Sequence, residues 1–300
     1  MRTRIAIVAL ASWLGGCHRD PPRNERNEQN ERNERNEIVA PIVDAAAPIP
    51  IIAAQDASDA IESGTSATSS GLAPLAASSA SLSLPVPGHG DAVVVLPLGT
   101  TRPRPIVVAL HGLWDRPDWQ CGAWGAIFHG RAFVLCPRGI PSKQATSDDP
   151  RLTYTHAEAM AAEVDDAIVA LRAAYPDYVD PGSITYTGFS LGAIYGVPTV
   201  AAAPKKFPRV ILVEGGHEAW TPERARAFAT HGGERIVFLC GSDDCPIAAG
   251  RAMRRLAAAG MTDVRLHTLK GAGHTYGGSV FDDARADIEW AIAGDPRFDD

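Results

Sequence analysis

The sequence lacks several features that would each point to a class of protein. No stretch has the ~20 consecutive apolar residues of a mature membrane-spanning helix. The formal net charge is −7, and no clustered basic surface is indicated, so we expect no nucleic-acid partner. Only five cysteines are present, and their spacings match no usual zinc-ligand set, so no metal site is expected. With 45% hydrophobic and 21% charged residues, the remaining composition is typical of a soluble globular protein.

The first seventeen residues have the three-part pattern of an export signal. Two arginines precede an apolar run from Ile5 to Leu14, and small residues follow that run. The end of the segment, LGGC up to Cys17, resembles the lipobox of bacterial lipoproteins, in which the cysteine is diacylated and becomes the new N-terminus. The resemblance implies a lipoprotein-type signal peptide over 1–17 and a lipid anchor on Cys17. It also implies a folded part outside the cytoplasm, at the envelope of a bacterial cell. An ordinary cleaved signal is the alternative.

A low-complexity segment follows. Residues 23–37 read RNERNEQNERNERNE and contain no apolar side chain, so they bury nothing that would offset the loss of chain entropy. From 38 to 87 the chain is rich in Ala, Ser and Pro without a lasting period. The pattern predicts a disordered tether over 18–87, followed by one catalytic domain over 88–300.

Short apolar runs alternate with helical patterns from residue 88 onward. The strand-like runs are AVVVLP, PIVVALHG, RAFVLCPRG, SITYTG, RVILVEGG, RIVFLCG and DVRLHTL. Most are continuous and β-branched, which is typical of strands buried on both faces of a parallel sheet. A capping box of Thr155 and Glu158 opens one predicted helix, Pro246 lies in the first turn of another, and a last helix is predicted over 279–294. The alternation predicts a three-layer α/β domain with a mostly parallel central sheet and no large lid.

One serine is bracketed by glycines directly after a predicted strand. Gly188-Phe189-Ser190-Leu191-Gly192 fits the pattern G-x-S-x-G, in which a strained strand-to-helix turn raises the serine Oγ above the sheet. Side chains two residues before and after the serine would collide with neighbouring backbone, which explains the glycines. The pattern predicts Ser190 as a nucleophile; the alternative is a serine that merely caps the helix.

A serine nucleophile needs a base, and the order serine, acid, histidine along the chain limits the choice. His274 lies in the glycine-rich segment GAGH after the final predicted strand, where it is free to reach the serine. His267 lies within that strand and is a weaker candidate. His217 precedes the expected acid and fits a loop or substrate-rim role better. His274 is therefore the predicted base.

The acid is expected after a late strand. The strand-like run RIVFLC is followed by Gly241-Ser242-Asp243-Asp244. Only one of the two adjacent aspartates can face His274. The spacing of glycine, two residues and aspartate favours Asp244. Glu214, after the preceding strand, is a distant third choice.

Two backbone amides are predicted to stabilise an oxyanion. One belongs to Leu191, the residue after the nucleophile, and the other to Leu113, in the loop after the strand VVAL. His111 precedes the serine in the chain and is expected to shape this loop rather than to act as the base.

From about 92 to 293, the chain resembles the α/β-hydrolase superfamily through LHGLWD, GFSLGA, CGSDDCP and GAGHTY. These motifs are most similar to those of the carboxylesterase, acyl-protein thioesterase and dienelactone-hydrolase-like branches. The resemblance implies Ser–His–Asp acyl transfer to water, with no metal or organic cofactor. Trp114 stands where the thioesterase motif often has glycine, and Leu191 where it often has glutamine. Both departures lie at the mouth of the site and bear on the substrate.

The other four cysteines are expected to form disulfides if the protein is exported. Of three possible connectivities, we favour Cys121–Cys136 and Cys240–Cys245; four buried thiols are the alternative.

Tryptophans cluster in the loops that flank the site. Trp114 and Trp220 are predicted to bind an acyl or aromatic group of the substrate, and ordinary packing of loop onto core is the alternative.

The sequence thus predicts a serine hydrolase for a small-molecule or lipid-like carboxylic ester or thioester. A peptidase or amidase on the same fold is the alternative among enzymes. A lipoprotein that binds a ligand without catalysis is the alternative from another class.

Overall fold

The computed structural model describes residues 71–299. The predicted signal peptide, Cys17 and the predicted tether up to residue 70 lie outside the described residues.

Ten strands and seven α-helices make up the described part. The strands are β1 (Ser81–Leu84), β2 (Ala92–Val95), β3 (Ile106–Leu110), β4 (Phe133–Cys136), β5 (Ile140–Pro141), β6 (Leu152–Thr153), β7 (Thr185–Phe189), β8 (Arg209–Val213), β9 (Arg235–Cys240) and β10 (Val264–Thr268). The helices are α1 (Pro117–Ile127), α2 (Ala157–Ala174), α3 (Leu191–Ala202), α4 (Pro222–Thr230), α5 (Cys245–Ala258), α6 (Gly278–Asp283) and α7 (Arg285–Ile292).

Eight of the strands form one sheet in the order β1-β2-β4-β3-β7-β8-β9-β10. The pairs β1–β2 and β2–β4 are antiparallel, and the other five pairs are parallel. The parallel strands all end at the same edge, so the loops that follow β3, β7, β8, β9 and β10 meet there. In open α/β sheets this carboxyl edge is where ligands bind.

Each face of the sheet packs against its own layer of helices. In β3, Ile106, Val108 and Leu110 point into a core shared with α2, α3, α4 and α5. Val107 and Ala109 point into a second core shared with α1, α6 and α7. Side chains alternate between the faces of a strand, so both faces of β3 are apolar and the run is continuous. The predicted three-layer α/β domain with a mostly parallel sheet is confirmed.

The loop from 137 to 156 carries the two-stranded hairpin of β5 and β6. Over the described residues, no larger insertion covers the carboxyl edge, in agreement with the prediction of no large lid. Within the same part of the chain, no helix combines the length and apolar character that crossing a membrane requires.

The predicted boundary between tether and domain is wrong at its domain side. Strand β1 lies at 81–84, inside the segment that was expected to be disordered, and pairs with β2. Leu75 and Leu84 are buried, so the folded domain includes residues well before 88.

Two helix ends also differ from the prediction. The N-cap of α2 is His156, whose Nδ1 accepts a hydrogen bond from the Ala159 N–H at 3.2 Å, and not Thr155. The predicted C-terminal helix is interrupted at Ala284, which separates α6 from α7.

Candidate active site

Ser190 lies at the sharp turn between β7 and α3. Its backbone has φ 49° and ψ −111°, a conformation that is strained for a residue with a Cβ atom. A Cβ atom at position 188 would lie 2.7 Å from the Gly192 carbonyl oxygen, and one at position 192 would lie 2.5 Å from the Leu110 carbonyl oxygen. Both glycines are therefore required by close backbone approach, as the sequence pattern predicts.

His274 lies in the loop after β10 and faces the serine. Its Nε2 is 2.9 Å from Ser190 Oγ, within hydrogen-bonding distance. The ring of Phe189 packs against the imidazole with a centroid distance of 5.0 Å. The Gly273 N–H donates to the Gly241 carbonyl oxygen, which fixes the histidine loop against the loop after β9.

The two weaker histidine candidates have other partners. His267 Nδ1 lies 2.9 Å from an Asp287 carboxylate oxygen. His217 Nε2 lies 3.1 Å from Cys245 Sγ.

The carboxylate beside His274 belongs to Glu214, and the predicted assignment of Asp244 is wrong in this structure. Glu214 Oε2 lies 3.3 Å from His274 Nδ1, and its side chain is 1% exposed. Asp244 is exposed and forms the N-cap position of α5, and Asp243 is also exposed. The physical reason is that the chain turns into α5 directly after β9, whereas Glu214 follows β8, the strand next to β7 in the sheet.

Hydrogen bonds hold Glu214 in its ionised form. The Gly241 N–H donates to Oε1, the Ser242 N–H donates to Oε1 at 3.0 Å, and the Ser242 hydroxyl donates to Oε2. Burial raises the pKa of Glu214, but the hydrogen bonds from His274, Ser242 and Gly241 outweigh burial and lower the pKa to about 2. Glu214 is therefore a carboxylate at neutral pH and can accept the Nδ1–H of His274. Its backbone has φ 52°, so the strain at this corner of the site extends beyond Ser190.

The loop after β3 passes directly beside the serine. A Cβ atom at Gly112 would lie 3.2 Å from Ser190 Cβ and 2.9 Å from the Phe189 ring. His111 is buried beneath this loop with Nδ1 2.8 Å from the Gly112 carbonyl oxygen, in agreement with its predicted loop-shaping role.

The backbone N–H groups of Leu113 and Leu191, the two predicted oxyanion donors, differ from those of their neighbours in the described chain. The N–H groups on either side of Leu113 are used: Gly112 donates to Asp115 Oδ2, and Trp114 donates to the Leu152 carbonyl oxygen. Around Leu191, Ser190 donates to Val213 and Gly192 donates to His111. The Leu113 and Leu191 N–H groups have no acceptor among residues 71–299.

The two tryptophans predicted to bind substrate lie in different environments. Trp114 is 51% exposed, as is its neighbour Leu113, and its backbone adopts φ 59°. Trp220 is fully buried and packs edge-to-face on Phe228 with a centroid distance of 5.3 Å. Trp220 is therefore a core residue, and its predicted contact with substrate is wrong.

Both favoured disulfides are present. Cys121–Cys136 links α1 to β4, and Cys240–Cys245 closes the loop between β9 and α5. That loop contains Gly241 and Ser242, the donors to Glu214.

Within residues 71–299, the group with the spacing of metal ligands is His217, Cys240 and Cys245. Both sulfurs of this group are joined in the disulfide, so the thiolates that a metal would need are absent in this form.

No family model matches the chain, and no curated protein matches it. Solved structures do match. A putative dienelactone hydrolase from Klebsiella pneumoniae has a TM-score of 0.54 and 14% identity, over 71% of this chain and 97% of that one. An uncharacterized protein from Bacillus cereus has a TM-score of 0.51 and 14% identity, over 65% of this chain and 61% of that one. At such identities the likeness shows the fold alone, and the fold is that of the α/β-hydrolases.

Proposed function

We propose that the protein is a serine hydrolase that cleaves a carboxylic ester or thioester, with Ser190 as nucleophile, His274 as general base and Glu214 as the acid. The observation that carries the proposal is the continuous path from Ser190 Oγ through the His274 imidazole to the Glu214 carboxylate. Nucleophile, base and orienting acid in this geometry are the requirements of acyl transfer.

In the acylation step, His274 Nε2 accepts the Ser190 hydroxyl proton while Oγ attacks the acyl carbon. The Glu214 carboxylate accepts the Nδ1–H, fixes the tautomer and stabilises the imidazolium cation. The Leu113 and Leu191 N–H groups donate to the oxyanion. Loss of one such donor typically costs ~2.7–4 kcal/mol of transition-state stabilisation.

When the tetrahedral intermediate collapses, the imidazolium Nε2–H protonates the leaving alcohol or thiol. In deacylation, His274 removes a proton from water, and the resulting hydroxide equivalent attacks the acyl-serine. The carboxylic acid leaves as Ser190 Oγ regains its proton from His274.

The proposed substrate class is based on the exposed apolar side chains of Leu113 and Trp114. Trp114 is held in its left-handed conformation from both sides: its N–H donates to Leu152, and its carbonyl oxygen accepts from Arg151. This exposed, bulky side chain is kept in a strained conformation two residues after Gly112, which closely approaches Ser190, and that supports a role in substrate contact. We therefore propose Trp114 as the contact for an apolar or aromatic acyl group of a small-molecule or lipid-like ester.

We also propose that the protein acts outside the cytoplasm and is anchored by lipid on Cys17. The two disulfides are consistent with export to an oxidising compartment. Fractionation of cells that express the full chain or Cys17→Ser tests the anchor. The parent is expected in the membrane fraction and the variant in the soluble fraction; the same distribution for both would contradict the anchor.

The activity is tested with the full chain, produced in an oxidising compartment, on p-nitrophenyl esters of increasing acyl length. Ser190→Ala is the nucleophile variant, and labelling by a fluorophosphonate is the second readout. Turnover and labelling that both disappear in Ser190→Ala would support the proposal. Labelling without ester turnover would keep the nucleophile and favour an amide substrate. A folded parent with neither would contradict the proposal and favour a non-catalytic binding protein.

A further inference from the structure

One buried carboxylate joins the loop of the predicted oxyanion donor to the loop of the predicted base. Asp115 lies two residues after Leu113 and is 7% exposed. Its Oδ1 accepts the Tyr276 hydroxyl at 2.9 Å, and Tyr276 lies two residues after His274. The two loops follow β3 and β10, which are separated in the sheet by β7, β8 and β9.

Asp115 also fixes the backbone of its own loop. Oδ2 accepts the Gly112 N–H at 3.3 Å, and Oδ1 accepts the Arg116 N–H at 2.8 Å. The buried Gln120 side chain lies 3.5 Å from Oδ2 and itself accepts from the Trp124 indole at 3.1 Å. Asp115 thus occupies the Gly112 N–H, whereas the next amide, Leu113 N–H, has no acceptor among residues 71–299.

Tyr276 packs against the same aromatic ring as the predicted base. Phe189, next to the nucleophile, packs on Tyr276 at a centroid distance of 4.6 Å and on His274 at 5.0 Å. Burial and the neighbouring Asp115 carboxylate raise the pKa of Tyr276 well above its usual value, so its hydroxyl remains a donor.

We propose that Asp115 and Tyr276 are positioning residues that set the oxyanion donor and the general base relative to each other. This inference rests on the proposed function. The transition state contacts Leu113 N–H and His274 at the same moment, so a shift of one loop against the other lowers the rate even when each loop keeps its own shape. A misplacement of about 1 Å can cost about 100-fold in rate.

The test compares Tyr276→Phe, Asp115→Asn and the double variant with the parent, all as full chains. Tyr178→Phe is the matched control, because its hydroxyl also donates one hydrogen bond of 2.9 Å, to the Ala73 carbonyl oxygen away from the site. The readouts are the second-order rate of fluorophosphonate labelling, kcat and KM on the preferred ester, and the melting temperature.

We expect Tyr276→Phe to lower the labelling rate and kcat by about 10-fold to 100-fold, with KM within about twofold. The double variant is expected to lose less than the sum of the two single losses. Tyr276→Phe removes the Tyr276–Asp115 hydrogen bond, and Asp115→Asn weakens that same bond together with those to Gly112 and Arg116. Tyr178→Phe is expected to keep the parental labelling rate and kcat.

Parental labelling and kcat in Tyr276→Phe would overturn the inference and leave the proposed function standing, even if the melting temperature fell. Fully additive losses in the double variant would also overturn it. A folded parent that is not labelled at all would overturn the proposed function, and the inference with it.

Discussion

At the scale of single residues, the choice of Glu214 over Asp244 makes the sharpest prediction. Glu214→Gln keeps the size of the side chain and removes the charge that orients and stabilises the His274 imidazolium. The equivalent change of a triad acid typically lowers kcat about 10⁴-fold. Asp244→Asn changes an exposed carboxylate and is expected to leave kcat within about twofold. The measurement is kcat on the preferred ester for both variants.

The reverse result, a large loss of kcat in Asp244→Asn and little loss in Glu214→Gln, would show that the acid is Asp244, in the loop after β9. Circular dichroism of both variants separates loss of catalysis from loss of folding.

Glu214 also predicts how stability depends on pH. Its pKa is lowered from 4.5 to about 2 in the folded protein. The unfolded chain therefore binds the proton more tightly, so the stabilisation is fully present above pH 4.5 and is lost as the pH falls toward 2. The size of the shift corresponds to about 3 kcal/mol. We expect the free energy of unfolding of the parent to exceed that of Glu214→Gln at pH 6, and the difference to shrink at pH 3.

Urea unfolding of both proteins at several pH values measures this difference, and the other carboxylates cancel because both proteins carry them. A difference that stays constant from pH 6 to pH 3 would show that the Glu214 pKa is not lowered.

At the residue level, the sequence pattern indicated the pair of side chains that the structure brings together, Ser190 and His274, but not the carboxylate beside them or the buried tryptophan. Ser190 and His274 could be found because a serine at a sharp strand-to-helix turn needs glycines around it, and a histidine that must reach the serine needs a loop after a strand. Glu214 has only one local signal, its place directly after a buried strand and before two glycines. Trp220 could not be recognised as a core residue, because no pattern in its loop indicates which side faces the helices.

At the scale of elements, the strand-to-helix turn depends on close approach of α3 to the end of β3. The Gly192 N–H donates to the His111 carbonyl oxygen at 3.1 Å, and a Cβ atom at this position would lie 2.7 Å from the same oxygen. Gly192→Ala must therefore push the helix start away from β3. We expect a loss of about 1–3 kcal/mol in the free energy of unfolding, together with loss of fluorophosphonate labelling.

Gly122→Ala is the matched control, because Gly122 is exposed in α1 and an added Cβ would meet no atom within 4 Å. This change is expected to raise stability by up to about 1 kcal/mol, since alanine is the better helix former. Equal unfolding free energies for the two variants would contradict the role given to close approach at Gly192.

The elements that the sequence could predict are those whose burial imposes a clear pattern on the residues. The strands β3, β4, β7, β8 and β9 were predicted within a few residues, because strands buried on both faces need continuous apolar runs. The less buried strands β2 and β10 were also predicted within a few residues, from β-branched or alternating runs. Helices α1 and α4 were not predicted: α1 contains two glycines and two tryptophans, and α4 is short and largely polar. Strand β1 reads Ser-Leu-Ser-Leu at the edge of the sheet, and its serine-rich sequence is similar to the low-complexity sequence before it.

At the scale of the whole molecule, the two disulfides are expected to differ in what they contribute to the stability of the fold and to the geometry of the site. They close loops of different length, with sequence separations of 15 for Cys121–Cys136 and 5 for Cys240–Cys245. The chain-entropy relation assigns about 3 kcal/mol to the longer loop and about 2 kcal/mol to the shorter one. On stability alone, removal of Cys121–Cys136 should be the more damaging change.

Activity should follow the opposite order. Gly241 and Ser242, the donors that hold Glu214, lie inside the loop closed by Cys240–Cys245, whereas Cys121–Cys136 lies between α1 and β4, away from the acid. We expect the double variant Cys240→Ala/Cys245→Ala to lose most of its kcat. The double variant Cys121→Ala/Cys136→Ala should lose more stability but keep the parental kcat while folded. Urea unfolding and kcat, measured at a temperature where both variants are folded, separate the two effects. The expectation would be contradicted if the variant with the larger loss in free energy of unfolding also had the larger loss in kcat. The Cys240–Cys245 disulfide would then contribute to folding and not to the position of Glu214.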